Sequence, residues 1–301
     1  MLTNYPNGVS SFGIPIYGGG SQVDYSGTVY FVDGNSGKDT NDGLSWEKAK
    51  KTLAVAFALS HADIARGSDR WARRNTIFIA GDAFDEDLVA LPQKTDIIGV
   101  GSYNSFKGAG IIGNHVPVNS AMGVRFYNCH FRGESTGGDM FTLASAYSLG
   151  IEFHGCTFHA DGGTAATAAI VSTAVRFLKI EDCVFEGAFS DATIELGAGN
   201  SSGTVIKNNI IEGANNGIEI SASATSTPEA SYIIGNTIKT SLICINDASS
   251  KFQIIDNRGV TLDTKGSSLA GAVVGNVDLS VGNLFSASDE NNVIWPANGS
   301  I

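Results

Sequence analysis

The stretch FYNCHF, residues 126–131, returns as FHGCTF at 153–158 and as IEDCVF at 180–185, 27 residues apart each time. A nucleophilic cysteine is needed once per site, and zinc-binding cysteines stand a few residues from one another. A cysteine recurring at this interval marks repeated geometry.

The same slot continues with asparagine. Cys129, Cys156 and Cys183 are followed by Asn209, Asn236, Asn257 and Asn283, at intervals of 27, 27, 26, 27, 21 and 26 residues. A period of this size signals stacked repeats. Three residues before the anchors stand Phe126, Phe153, Ile180, Ile206, Ile233 and Ile254, with Ser280 as the exception. Two residues after them come Phe131, Phe158, Phe185, Ile211, Ile238, Gly259 and Phe285. Immediately before them stand Asn128, Gly155, Asp182, Asn208, Gly235, Asp256 and Gly282. Each of these tolerates a left-handed backbone. Every repeat therefore predicts a strand, one sharp bend, and a second strand with alternate residues facing inward.

Between anchors lie further apolar–outward–apolar triplets: FTL at 141–143, IEL at 194–196, IEI at 218–220 and ICI at 243–245. With about three short strands per repeat, all inward faces are buried together if each strand pairs with its copy one turn later. That is an all-β, single-stranded parallel β-helix. Stacking at ~4.8 Å per turn lets asparagine amides hydrogen-bond along the column and lets thiols fill the same interior file. The seven anchors, Asn283 included, are the expected ladder. Four cysteines in a chain expected to fold in cytoplasm read as free thiols.

This pattern resembles the right-handed parallel β-helices of the pectate-lyase-like superfamily, which includes pectate lyases and many bacteriophage tailspikes, fibres and decoration proteins. TIFIAGDAFDEDLVAL (76–91) and TDIIGVGS (95–102) are similar to its first coils, and YFVDGNSGKDTNDGLSWEKAKKTLAVAFAL (30–59) to its lead-in segment. The likeness spans residues 28–285 and bears on fold more than on activity. It implies a right-handed coil and a homotrimer whose subunits cover one another's outer faces.

Four segments are expected: an N-terminal arm (1–27), a lead-in strand and helical cap (28–75), the β-helix (76–285) and a C-terminal tail (286–301). A cap is required because a stack of coils leaves an apolar end. Within 45–59, Ser45 is placed to N-cap, Leu53, Ala56 and Phe57 share a helical face, and Lys48, Lys50 and Lys51 stay solvated. Arg66, Arg70, Arg73 and Arg74 read as a solvated basic turn. YPNGVSSFGIP (5–15) carries Tyr5, Val9, Phe12 and Ile14 in a glycine-rich arm, as a docking peptide would. It resembles short leaders of some tailed-phage structural proteins, so these four residues are the expected anchor to other virion proteins. The tail has one apolar knot, Val293, Ile294 and Trp295, which closes the last coil or packs on a neighbour.

Glycine at 37 residues against proline at 6 suits many strands with tight turns. A net charge of −11 opposes binding to nucleic acid or anionic membranes. No run approaches the 18 apolar residues of a spanning helix, and the start lacks a signal-peptide pattern.

Glycan cleavage on a β-helix needs outward carboxylates, ~5 Å apart for retention or ~6.5–9.5 Å for inversion. Glu195 and Glu219 share the outward slot of successive triplets, and Glu186 and Glu212 each stand three residues after an anchor. The column Arg125, Glu152, Lys179 alternates in sign like a salt-bridge ladder. Trp46, Trp71 and Trp295 lie outside the repeats, so no sugar-stacking cluster accompanies the glutamates. Asp33, Asn35, Asp39, Asn41 and Asp42 lack EF-hand spacing and read as turn formers. His130, His154 and His159 read as unrelated surface histidines, and Cys244 as the outward member of its triplet. No metal or other cofactor is expected. The expected protein is a non-catalytic virion structural protein, assembled in host cytoplasm, with surface-glycan adhesion; the alternative is a polysaccharide lyase or glycoside hydrolase of the same fold.

Overall fold

A computed structural model describes residues 9–11, 14–16, 27–65, 73–81, 84–101, 110–118, 121–133, 137–144, 149–160, 166–213, 215–225, 231–240, 243–249, 251–259, 273–274, 277–278 and 283–284. The chain forms a right-handed parallel β-helix. Its first sheet has ten parallel strands, from Val29–Asp33 through Arg125–Tyr127 and Glu152–His154 to Val273–Val274. The second begins at Phe84–Asp85 and runs through His130–Arg132 and Thr157–Ala160. The third has five strands: Phe141–Leu143, Ile170–Ser172, Ala192–Leu196, Asn216–Ile220 and Ile245–Asp247.

The bend between the first two sheets falls at the residue before each anchor. Asn128, Gly155, Asp182, Asn208, Gly235 and Asp256 have φ of 51°, 59°, 55°, 54°, 69° and 52°. Gly282 lies outside the described residues.

The anchors from Cys129 to Asn257 form one file, each at most 2% exposed. Asn209 Nδ2 donates to Asn236 Oδ1 (2.9 Å), and Asn236 Nδ2 to Asn257 Oδ1 (2.8 Å). Asn283 does not extend this file. The pairs Ile254↔Val273 and Arg258↔Val277 carry the parallel register on after only 19 residues, whereas Asn283 pairs antiparallel with Asp278. The sequence VVGNV (273–277) repeats the strand–bend–anchor pattern closer to Asn257.

The core changes character along the axis. Around the cysteines it is aromatic, with Phe126 stacked on Phe153 (centroids 5.2 Å apart) and Phe158 on Phe185 (4.7 Å). Around the asparagines it is aliphatic, with Ile206, Ile211, Ile218, Ile233, Ile238 and Ile254 all buried.

The N-terminal end is sealed by the helix Leu53–Ala65, which buries Leu53, Ala56, Phe57, Ser60 and Ile64. The helix starts later than expected. Ser45 precedes only the 3₁₀ turn Trp46–Lys48 and makes no side-chain cap bond. Its role falls to distant carboxylates: Glu86 accepts from the amides of Leu53 and Ala54 (both 3.0 Å), and Asp39 from those of Lys51 and Thr52 (both 3.0 Å). Charge at the helix N-terminus is favourable for the same reason as a local cap. Lys50 is not solvated but 6% exposed, its ammonium donating to the Asp39 carbonyl (2.8 Å).

Val9–Ser11 and Ile14–Ile16 pair antiparallel. Of the expected anchor, Tyr5 and Phe12 lie outside the described residues, as do Trp71 and 285–301. Among the described residues no helix is long and apolar enough to cross a membrane.

Candidate functional site

On the outer face of the third sheet, Glu195 and Glu219 are directly paired in register on adjacent strands. The file reads Thr142, Val171, Glu195, Glu219, Asn246. Its members belong to strands whose alternate residues, Ile194, Leu196, Ile218 and Ile220, are fully buried, so the pleat forces the glutamates outward. Burial pushes the Glu195 carboxyl above its ordinary pKa, and the neighbouring charges of Asp191, Glu219 and Asp139 push it further. Asp139 is raised too, first by burial and then by Asp191, against a Thr142 hydrogen bond that lowers it. Glu219 accepts a bond from Asn216 Nδ2 (2.9 Å). Sequence spacing brought the two glutamates together but missed both aspartates, which stand on turns that carry no periodic signal.

Glu186 and Glu212 are a different case. The direct register there reads Val184↔Ile210 and Phe185↔Ile211, and each glutamate meets a basic side chain: Glu186 lies 3.6 Å from His159 Nδ1, and Glu212 lies 3.9 Å from Lys239 Nζ.

The first sheet carries a closed charge network. Glu152 lies 3.3 Å from Arg125, 3.4 Å from Lys179 and 2.8 Å from His154 Nε2. Burial would raise its pKa, but the His154 bond and the two cations outweigh that and hold it at about 2. His154 Nδ1 also faces Glu181 (3.3 Å), and its ring stacks on Tyr127 (4.9 Å). Sequence reasoning recognised the Arg125–Glu152–Lys179 ladder but read His154, which joins it, as an unrelated surface histidine. His130 and His159 stack at 6.4 Å.

Two further placements differ from the expectation. Cys244 does not face outward: the third-sheet strand is Ile245–Asp247, in register Ile218↔Ile245, two residues later than the triplet suggests, and Cys244 precedes it, fully buried with its thiol 3.5 Å from the Ile238 carbonyl. Trp46 joins an aromatic group with Phe31 (edge-on, 4.9 Å) and Phe78 (stacked on Phe31, 5.8 Å), on the outer side of the first sheet. In the 33–42 loop, Asp33 accepts from the amides of Asn35 and Ser36, and Asp42 from that of Leu44, which are turn-forming bonds.

No family profile matches this chain, and no curated protein matches it. Among solved structures it is similar to one named rhamnogalacturonan lyase, at 11% identity and a TM-score of 0.46. The likeness covers 84% of this chain and 62% of that one, so this chain spans less than two thirds of its length.

Proposed function

We propose that this chain is a structural protein of a bacteriophage particle, a decoration, short-fibre or spike subunit whose β-helix holds a surface glycan without cleaving it. The observation that supports glycan binding is the acidic face of the third sheet. Among the described residues, Asp139, Asp191, Glu195 and Glu219 meet no lysine, arginine or histidine within ion-pair distance, whereas Glu152, Glu181, Glu186 and Glu212 all do. Carboxylates without a cationic partner are strong acceptors for hydroxyl groups, which a neutral sugar presents in abundance. The particle role rests on the resemblance of the coil and of the arm at 5–15. In this reading the arm fastens to other virion proteins and three copies assemble side by side.

One observation favours a second reading. Adjacent strands set the two glutamates at about the separation used by retaining glycosidases, and their surroundings differ: Glu195 is pushed toward the neutral acid, while Glu219 is held by an amide donor. Glu195 would then be the general acid and Glu219 the nucleophile. A panel of neutral and acidic bacterial polysaccharides separates the readings. Adhesion predicts retention of at least one glycan, weakened about tenfold or more by Glu195→Gln with Glu219→Gln, and no new reducing ends. Reducing ends that vanish in either single variant establish the hydrolase. For the particle role, deleting residues 1–20 is expected to abolish incorporation, read by mass spectrometry of purified particles, and leave the coil folded.

A further inference from the structure

The outer face of the first sheet differs from the other two. Its outward residues form two files in register, one beginning Val29, Thr76 and the other Phe31, Phe78. The second file is apolar at both ends, with Phe31, Phe78, Ile98 and Tyr127 beside the sealing helix and Ile234 and Ile255 far from it. Around the helix end, Val29, Leu44, Trp46 and Val100 are 41–55% exposed. An apolar surface running over several strands marks a contact site.

The charges between the two apolar ends indicate what kind of partner fits. Copies of a chain with net charge −11 repel one another, so they approach most easily on a neutral face. In the two files Asp96, Glu152 and Glu181 stand against Arg125, Lys179 and Lys207, three charges of each sign. The carboxylates already meet cations or histidine within the chain: Asp96 lies 2.8 Å from Arg74, Glu152 3.3 Å from Arg125, and Glu181 3.3 Å from His154. Covering this stretch therefore leaves no carboxylate alone. The third sheet is unsuited to the same contact, because Asp139, Asp191, Glu195 and Glu219 would face their own copies. The second sheet lacks the apolar file, since Arg132, His159 and Glu186 follow one another in register there.

We infer that copies of this chain meet through the outer face of the first sheet, side by side with their coils parallel. Rotation about an axis along the coil brings strands of equal height together and sets one file against the other file of the next copy. Glu152 then faces His154 of that copy and Lys179 faces Glu181, while Val29 meets Phe31 and Tyr232 meets Ile234. The N-terminal arms leave from one end, as fastening to a single particle requires. This names the surface for the side-by-side assembly proposed above and rests on that assembly, not on glycan binding.

Sedimentation velocity of the full chain over a wide concentration range tests the contact. Wild type is expected to associate, and Ile234→Glu and Val100→Glu, at opposite ends of the face, each to weaken association about tenfold or more while thermal unfolding stays as in wild type. Thr237→Glu, on the exposed second sheet, is expected to leave association unchanged. The native thiols are all buried, so Val29→Cys supplies the exposed one, and a flexible bis-maleimide should join copies through it if the coils are parallel. Failure to join them in an associated sample overturns the parallel arrangement. Association that survives both first-sheet substitutions, or that is lost in Thr237→Glu instead, overturns the surface and leaves the side-by-side assembly standing. A monomer at every concentration overturns both. A monomer that retains a glycan and loses it in Trp46→Ala would assign the apolar end to sugar stacking.

Discussion

In the interior file, Asn236 uses both ends of its amide. Its Oδ1 accepts from the Asn209 backbone N–H and side chain (both 2.9 Å), and its Nδ2 donates to the Ile206 carbonyl (3.0 Å) and to Asn257. Cysteine occupies the equivalent place more loosely: Cys156 Sγ lies 3.5 Å from the Phe126 carbonyl and 3.6 Å from that of His154. A thiol is a weak donor and a weaker acceptor, so it asks less of an aromatic surrounding and returns less. Asn236→Ala strands a buried amide and a buried carbonyl and is expected to cost about 2–4 kcal/mol in urea unfolding. Cys156→Ala, which removes one small apolar-like group, is expected to cost only about 1–2 kcal/mol. Equal losses at the two positions would show that the asparagine bonds add nothing. The ladder from 129 to 257 was legible because identity and interval coincide; the error at Asn283 arose because two asparagine-centred motifs compete there, and interval alone chose the wrong one.

Each bend between the first and second sheets is one residue long, so its cost is concentrated at one φ. Gly155, at φ 59°, has open space where a Cβ would stand. Gly155→Ala therefore introduces backbone strain with no clash, expected at about 1–2 kcal/mol. Gly155→Asn should cost clearly less, since Asn128 and Asn208 hold the same conformation in neighbouring coils; thermal unfolding of both variants distinguishes this from a steric origin, under which the larger asparagine would be worse. These bends were readable from composition alone. The third-sheet strands were less so: Ile170–Ser172 escaped notice because serine ends it, and the strand Ile245–Asp247 was read two residues early, at 243–245, because ICI and IND present the same alternation.

Across the whole molecule, two buried groups make the fold less stable in acid. His115 is fully buried against Phe131 and Phe141, and burial, opposed in part by Asp87, lowers its pKa to about 4. Its unfolded value is near 6.5, so stability is complete above pH 6.5 and is lost as pH falls toward 4. Glu152, at about 2 when folded against an ordinary 4.5, contributes stability above pH 4.5 that is lost as pH falls toward 2. His115→Phe is expected to flatten the unfolding free energy between pH 6.5 and 4 while lowering it at pH 7, because the Leu88 amide loses its acceptor. A slope unchanged in that window would assign it to other groups.

The sequence by itself determined the coil. A left-handed bend, an anchor and alternating inward residues are local requirements, and local requirements recur visibly along a chain. Only the tertiary structure decided what stands across from what: that Asp139 and Asp191 join the paired glutamates, that Glu86 and not Ser45 caps the helix, that Trp46 meets Phe31, and that a cleft remains beside the helix. These juxtapositions join residues from different coils, and which of them meet depends on turn lengths and strand register that the repeat does not encode.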